Sequence, residues 1–439
     1  MEYISLLGIV LGMVVFIGMM FKGFHVAISG ICAALVLALT SGSDPIEIMT
    51  GTWASGFAGY MQSMFLVFLF GALFGRLLND CGGSKRIAIA LYRFFSSRKH
   101  GDQRFYAVCF LIAMYAILIY AGVSGMIVVF AVYNIAYELF RRLDVPWNMY
   151  GYGGVSGVAI FWVAGSLQVA NVSAADVCGV TTMAAPVMSI VATVVFYLVL
   201  LVIVKWDLIH YDKRSMGFFP MGQRIYEERG EDPNAALDDT TGLPGLLPSV
   251  LPIVIMVVMA GMGVNVAFAM FVGCIIISVI MFKRYTNFKD TLTQGIVSCF
   301  GPSCGVSVTS AMATVIKVVP GFAIITDLLT VFPPLIQGVL IISLVTFCAS
   351  SSGAAIQSMG PEVLQLFGAA GLGPAASARL MTIAAFTGCP PHSAGIANVC
   401  ALCRIDYKDA LYVYFKGSMI PGFCALVSAI VLIRLGIMF

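Results

Sequence analysis

Residues 387–398, Thr-Gly-Cys-Pro-Pro-His-Ser-Ala-Gly-Ile-Ala-Asn, combine a proton-carrying side chain with two helix-stopping prolines, set among apolar runs of membrane-spanning length. Proline removes a backbone donor, and freed backbone groups at membrane depth are tolerated only where protein or a wet cavity receives them. His392 is the only histidine after His210. An imidazole with a reference pKa of about 6.5 exchanges a proton near neutral pH. Three other stretches interrupt apolar runs: 121–125 (Ala-Gly-Val-Ser-Gly), 165–171 (Gly-Ser-Leu-Gln-Val-Ala-Asn) and 349–353 (Ala-Ser-Ser-Ser-Gly).

The chemistry these breaks suit is anion binding. The pairs Ser124-Gly125 and Ser352-Gly353 each stand where a helix restarts, so N-terminal N–H groups and the positive dipole end would face a shared cavity. Capping of the helix is the other use of such serines. Gln168, Asn171, Ser166, Thr387, Ser393 and Asn398 offer donors and acceptors to substrate hydroxyls or to the unwound backbone itself. At His392 burial disfavours the cation while a bound carboxylate favours it, so anion and proton would bind together. A neutral His392 bonded to the broken backbone is the alternative. No arginine adjoins any break in sequence, which points to a single carboxylate and not to a dicarboxylate needing guanidinium forks. Lys317 and Arg379, the bases nearest the outer breaks of the second half, are expected to snorkel to the outer interface, the alternative for Arg379 being to draw anions toward the cavity.

Elements able to position such a site must be membrane helices. Of 439 residues 60% are apolar and 10% charged, against roughly 45–50% and about 25% in soluble domains. Apolar runs at 4–20, 26–40, 57–75, 186–204, 249–264, 266–282 and 417–436 approach the roughly 20 residues that span a bilayer. The expected fold is an all-α polytopic membrane protein in the cell's inner (plasma) membrane. Met1-Glu2-Tyr3 carries no basic cluster, so the first run reads as a retained helix.

The hydrophilic stretch 205–247, with eight acids and five bases, divides the chain into an N-terminal membrane repeat 1–205, a cytoplasmic linker 206–247 and a C-terminal membrane repeat 248–439. In each half three spans precede an interrupted region, 105–140 or 335–368, and a second break follows about 40 residues later. Bases flank 105–140 on both sides, so both its ends belong in the cytoplasm and the region reads as a re-entrant hairpin. Each half then holds five crossings, one hairpin and one broken helix. Five being odd, the repeats are inverted. This topology leaves only Lys317, Arg379 and Arg434, of 24 Lys and Arg, off the cytoplasmic side. Segment 85–98, basic at its ends and too short to span, reads as an interfacial helix linking scaffold to moving part.

Several classes are set aside. The twelve cysteines lie mostly in apolar runs and read as packing residues, and Cys400-Ala-Leu-Cys403 has no second pair, so no metal is expected. Gly82-Gly-Ser-Lys85 lacks phosphate-loop spacing, and a net charge of +3 gives no reason to expect a nucleic-acid partner. No cofactor is implied. Gly122-Val-Ser-Gly125 matches the nucleophile pattern of intramembrane serine hydrolases, but the histidine that would activate Ser124 lies in the other half, and Gly154-Val-Ser-Gly157 repeats the pattern. The protein is therefore not expected to be an enzyme.

Pro391-His-Ser-Ala-Gly395, followed by Cys400-Ala-Leu-Cys403 and Tyr407-Lys-Asp409, resembles the gluconate:proton symporter (GntP) family within the ion transporter superfamily. Gly122-Val-Ser-Gly125 with Glu138-Leu-Phe-Arg-Arg142, and Gly165–Asn171 with Thr181–Pro186, look similar too. The resemblance implies proton-coupled import of gluconate or a related hydroxy-monocarboxylate by an inverted-repeat homodimer, with Ser124, Gln168, Asn171 and His392 in the binding role. The family's break commonly reads Gly-Thr-Pro-Gln-Ile-Gln-Asn, from which this chain departs at Leu167 and Ala170, positions that bear on substrate choice. A passive channel or a Na⁺-coupled carboxylate carrier is the alternative, since unwound carbonyls alone can hold Na⁺.

Overall fold

The computed structural model describes residues 2–96, 102–120, 125–166, 168–229, 242–262, 264–349, 352–386 and 393–438, and among these it contains helices and no strand. The first half comprises α1 (Glu2–Phe21), α2 (Val26–Thr40), the short α3 (Pro45–Glu47), α4 (Ala54–Asp80), α5 (Gly83–Ser96), α6 (Gln103–Tyr120), α7 (Gly125–Leu143), α8 (Gly151–Ser156), α9 (Val169–Cys178) and α10 (Pro186–Lys213). Then come α11 (Phe218–Arg229), α12 (Leu246–Gly261), α13 (Val266–Ile280), α14 (Phe288–Val318), α15 (Gly321–Leu328), α16 (Pro334–Ala349) and α17 (Ser352–Ala369). The chain ends in α18 (Pro374–Ala384), α19 (Ala394–Cys403), α20 (Tyr407–Tyr414) and α21 (Ile420–Arg434), a π-helical turn Phe415–Met419 joining the last two.

Local chemistry sets the starts. Pro186 and Pro374 occupy first turns, where their missing N–H costs nothing. Asn265 and Asn287 cap α13 and α14, their side chains accepting from Phe268 N and Asp290 N. The outer faces of the long helices are apolar. Along α10, Ile190, Val194, Leu198, Val202 and Trp206 form an exposed stripe at i, i+4 spacing, while Ser189, Phe196 and Asp207 are buried. An apolar outside and a partly polar inside is the pattern expected where hydrocarbon replaces water. Its 28 residues extend about 42 Å, more than the roughly 30 Å hydrocarbon layer. By length and composition α1, α6, α10, α14 and Tyr407–Arg434 can each cross a membrane, as can the bent pair Pro45–Gln62 and Phe65–Asp80. Shorter apolar helices include Val26–Thr40, Ala267–Ile280 and Pro334–Phe347.

At the centre α4 packs along α14. A Cβ at Gly56 would meet Thr314 Oγ1 at 2.6 Å, and one at Gly295 would meet Leu73 Cδ1 at 2.9 Å, so a glycine from each helix permits the close approach. The surrounding contacts are exchanged between halves. α2 lies on α14 and α13 on α4, while α1 lies on α15 and α12 on α5. α6 packs on α7 and α16 on α17, two hairpins flanking the interruptions read from the sequence. α5, the expected interfacial helix, touches both α7 and α12. The stretch read as a linker begins inside α10, where Trp206 to Lys213 continue the helix and Asp207 is buried. α11 then docks on α7, and Phe218 N donates to Asp144 at 2.8 Å.

Candidate functional site

The first-half break runs from the 3-10 turn Gly157–Trp162 to the start of α9. Val163 is extended and Gly165 takes φ +80°, so the helical bonding lapses and its groups find other partners. Ala164 N donates to Ser189 Oγ at 2.8 Å and Gly165 N to the Thr182 carbonyl at 3.0 Å. Gln168 Nε2 donates to the Ile119 carbonyl at 2.6 Å. Asn171 Nδ2 donates to the carbonyls of Ser166 at 2.9 Å and Thr182 at 3.2 Å. Both side chains thus bond backbone carbonyls, Gln168 at the last turn of α6 and Asn171 in the turns flanking α9, and both are buried.

The structure brings the other half's hairpin to this break. α17 packs on α9, and Gly353 lies so close that a Cβ would stand 2.7 Å from Val169 Cγ1. Ser352 is nearly buried at the head of α17, and Gln357 Nε2 donates to Ser173 Oγ at 3.1 Å. The reciprocal pairing also occurs: α7, which begins at Gly125, packs on α19. Ser393 caps α19, its Oγ accepting from Gly395 N at 3.2 Å. Ser124, Leu167, Thr387 and His392 lie outside the described residues.

Arg379 corrects the sequence reading. Expected to snorkel outward, it is 1% exposed. It donates to the Trp162 carbonyl, to Asn171 Oδ1 at 3.0 Å, to the Thr182 carbonyl at 3.1 Å and twice to the Ala184 carbonyl, at 3.2 and 2.6 Å. The premise that no arginine adjoins a break therefore fails in space. The broken backbone supplies carbonyls that satisfy a guanidinium, which is what makes its burial tolerable. These five bonds occupy all five N–H groups, so Arg379 offers no spare fork to a second carboxylate.

Two further features escaped the sequence reading. A cavity of about 980 Å³ lies between the α1–α2 turn, α4, α7, α14 and α19. Lys22, Arg76, Arg404 and Lys408 line it against one acid, Asp406. The second is a buried ion pair between Asp207 of α10 and Lys416 in the π-helical turn. Tyr152 Oη donates to the same carboxylate at 2.5 Å, and the Lys416 ammonium stands 3.7 Å from the Tyr412 ring centroid. Asp207→Ala leaves a buried cation unbalanced, so thermal or denaturant unfolding of the purified protein should show a loss of about 3–5 kcal/mol. Asp207→Asn with Lys416→Met should recover most of it.

Long helices with apolar outer faces, broken helices and buried polar turns define a multi-pass membrane protein. Residues 4–288 match the family described as GntP family permease, and the chain belongs to that family. It is 32% identical to an uncharacterized transporter YxjC of Bacillus subtilis over 147 residues, 33% of this chain and 29% of that protein. It is 34% identical to a high-affinity gluconate transporter of Escherichia coli over 94 residues, 21% of this chain and 20% of the transporter. The matched regions thus span less than a third of either relative.

Proposed function

We propose that the protein is a secondary active transporter that brings gluconate or a related small hydroxy-monocarboxylate into the cell together with protons. The observation that carries this reading is the cavity of about 980 Å³, lined by four Lys or Arg side chains against one aspartate. It reaches α7 and α19, the helices that follow two of the breaks. A basic concave surface raises the local concentration of an anion. By the positive-inside rule this side is cytoplasmic, so the conformation is inward-facing. The E. coli relative, named a gluconate transporter, supports the substrate class.

The exchanged contacts support inverted repeats as the working halves, since α2 on α14 mirrors α13 on α4 and α17 on α9 mirrors α7 on α19. The same reading includes an inner-membrane location, a homodimer, and a binding role for Ser124, Gly125, Gln168, Asn171, Ser352, Gly353, His392 and Ser393. Uptake into liposomes by the purified protein, with a panel of hydroxy acids under separately imposed gradients, tests it. Accumulation on an inward proton gradient without Na⁺ is expected. Uptake driven by Na⁺ alone would replace the coupling ion, and no uptake of any hydroxy acid would remove the proposal.

A further inference from the structure

A guanidinium withdrawn from water is costly unless its donors are met and its charge is balanced. At Arg379 the first condition holds. Every acceptor is uncharged, namely three backbone carbonyls and the amide oxygen of Asn171. Among the described residues no carboxylate pairs with it. The bonds cross from the second half, where Arg379 sits in α18, to the turns on both sides of α9 in the first. They hold the segment that presents Val169 to Gly353 at the head of α17. The arrangement is a built, fixed cation with no counter-charge among the described residues.

We propose that Arg379 is a positioning residue that sets the shape of the first-half break and supplies, from behind Asn171, the positive charge that an anionic substrate balances. This rests on the transport reading above and adds to it a source of charge selectivity separate from recognition of hydroxyls. Since the guanidinium's donors are all spent, it acts through the field it creates and through Asn171, without touching the ligand. A unit charge acts over several ångströms in a site poorer in water than bulk solvent, so the preference for an acid over its uncharged counterpart falls by about tenfold or more when the charge is removed.

The test compares gluconate with the uncharged polyol of equal carbon number, as a ratio of dissociation constants measured on purified wild type, Arg379→Lys and Arg379→Gln. Folding is monitored by thermal unfolding and size exclusion. The wild type is expected to prefer the acid. Arg379→Lys keeps the charge with fewer donors, so it should retain the preference while its maximal uptake rate falls. Arg379→Gln should lose at least tenfold of the preference through weaker binding of the acid. Asn171→Asp provides a third route: it sets a carboxylate where the amide oxygen now meets Nη1, balances the guanidinium internally and should lower the preference too. A role confined to holding the turn would impair Lys and Gln variants alike and leave the ratio unchanged in whichever folds. A wild type that binds acid and polyol equally overturns the inference whatever the variants do. So does a folded Arg379→Gln with the wild-type ratio, or a folded Arg379→Lys that has lost it. A wild type that neither binds nor moves any hydroxy acid would instead remove the transport reading.

Discussion

Replacing His392 with glutamine is expected to abolish accumulation of substrate on a pH gradient while leaving binding or exchange measurable. Glutamine retains a hydrogen-bonding side chain but takes up no proton at physiological pH. His392 directly precedes Ser393, the cap of α19, in sequence, and on the transport reading it carries the proton that accompanies the substrate carboxylate. An imidazolium and a carboxylate attract, so on that reading proton and substrate favour each other's binding. Linkage then requires protonation to raise substrate affinity by the factor by which substrate raises proton affinity. The sign follows: wild-type binding is tighter where the proton is held and weakens as rising pH removes it. Affinity titrated from pH 5 to 9 and uptake in Na⁺-free liposomes check both parts. A His392→Gln protein that still concentrates substrate on a proton gradient would return the histidine to the role of a partner for broken backbone.

Gly353→Val is expected to remove the rise in unfolding temperature that substrate produces in the wild type. A single added carbon at this position would already meet Val169 Cγ1 at 2.7 Å, and valine brings two more. The head of α17 must then move off the first-half break, separating the two pieces that would enclose the anion. Overpacking of this kind lowers stability by about 1–3 kcal/mol. The contrast is Gly360, farther along the same contact, whose Cβ would meet Val177 Cγ1 at 2.9 Å. Gly360→Ala should cost stability yet keep the substrate-dependent shift, since it crowds α9 away from the break. Thermal unfolding with and without gluconate separates the two. A Gly353→Val protein that keeps the full shift would place the anion elsewhere.

Membrane class, helix positions and the places where helices stop were legible in the sequence because each is local. The apolar runs at 26–40 and 266–282 became α2 and α13, and the Ser352-Gly353 pair stands at the head of α17. Gln168 and Asn171 could be assigned to a break by their neighbours. Whether they face a ligand or hold the chain could not, because their acceptors include the Ile119 and Thr182 carbonyls, which only the packing brings near. The charged residues show the limit most clearly. Arg379 in sequence looked like a snorkelling base, yet its acceptor at Trp162 is 217 positions away. Asp207 read as the start of a hydrophilic linker, yet its partner Lys416 is 209 positions away. Composition and periodicity report what a residue costs to bury in lipid, a property of the residue alone. Whether that cost is met depends on which carbonyls and counter-charges the fold delivers to it, and these came from the opposite half of the chain.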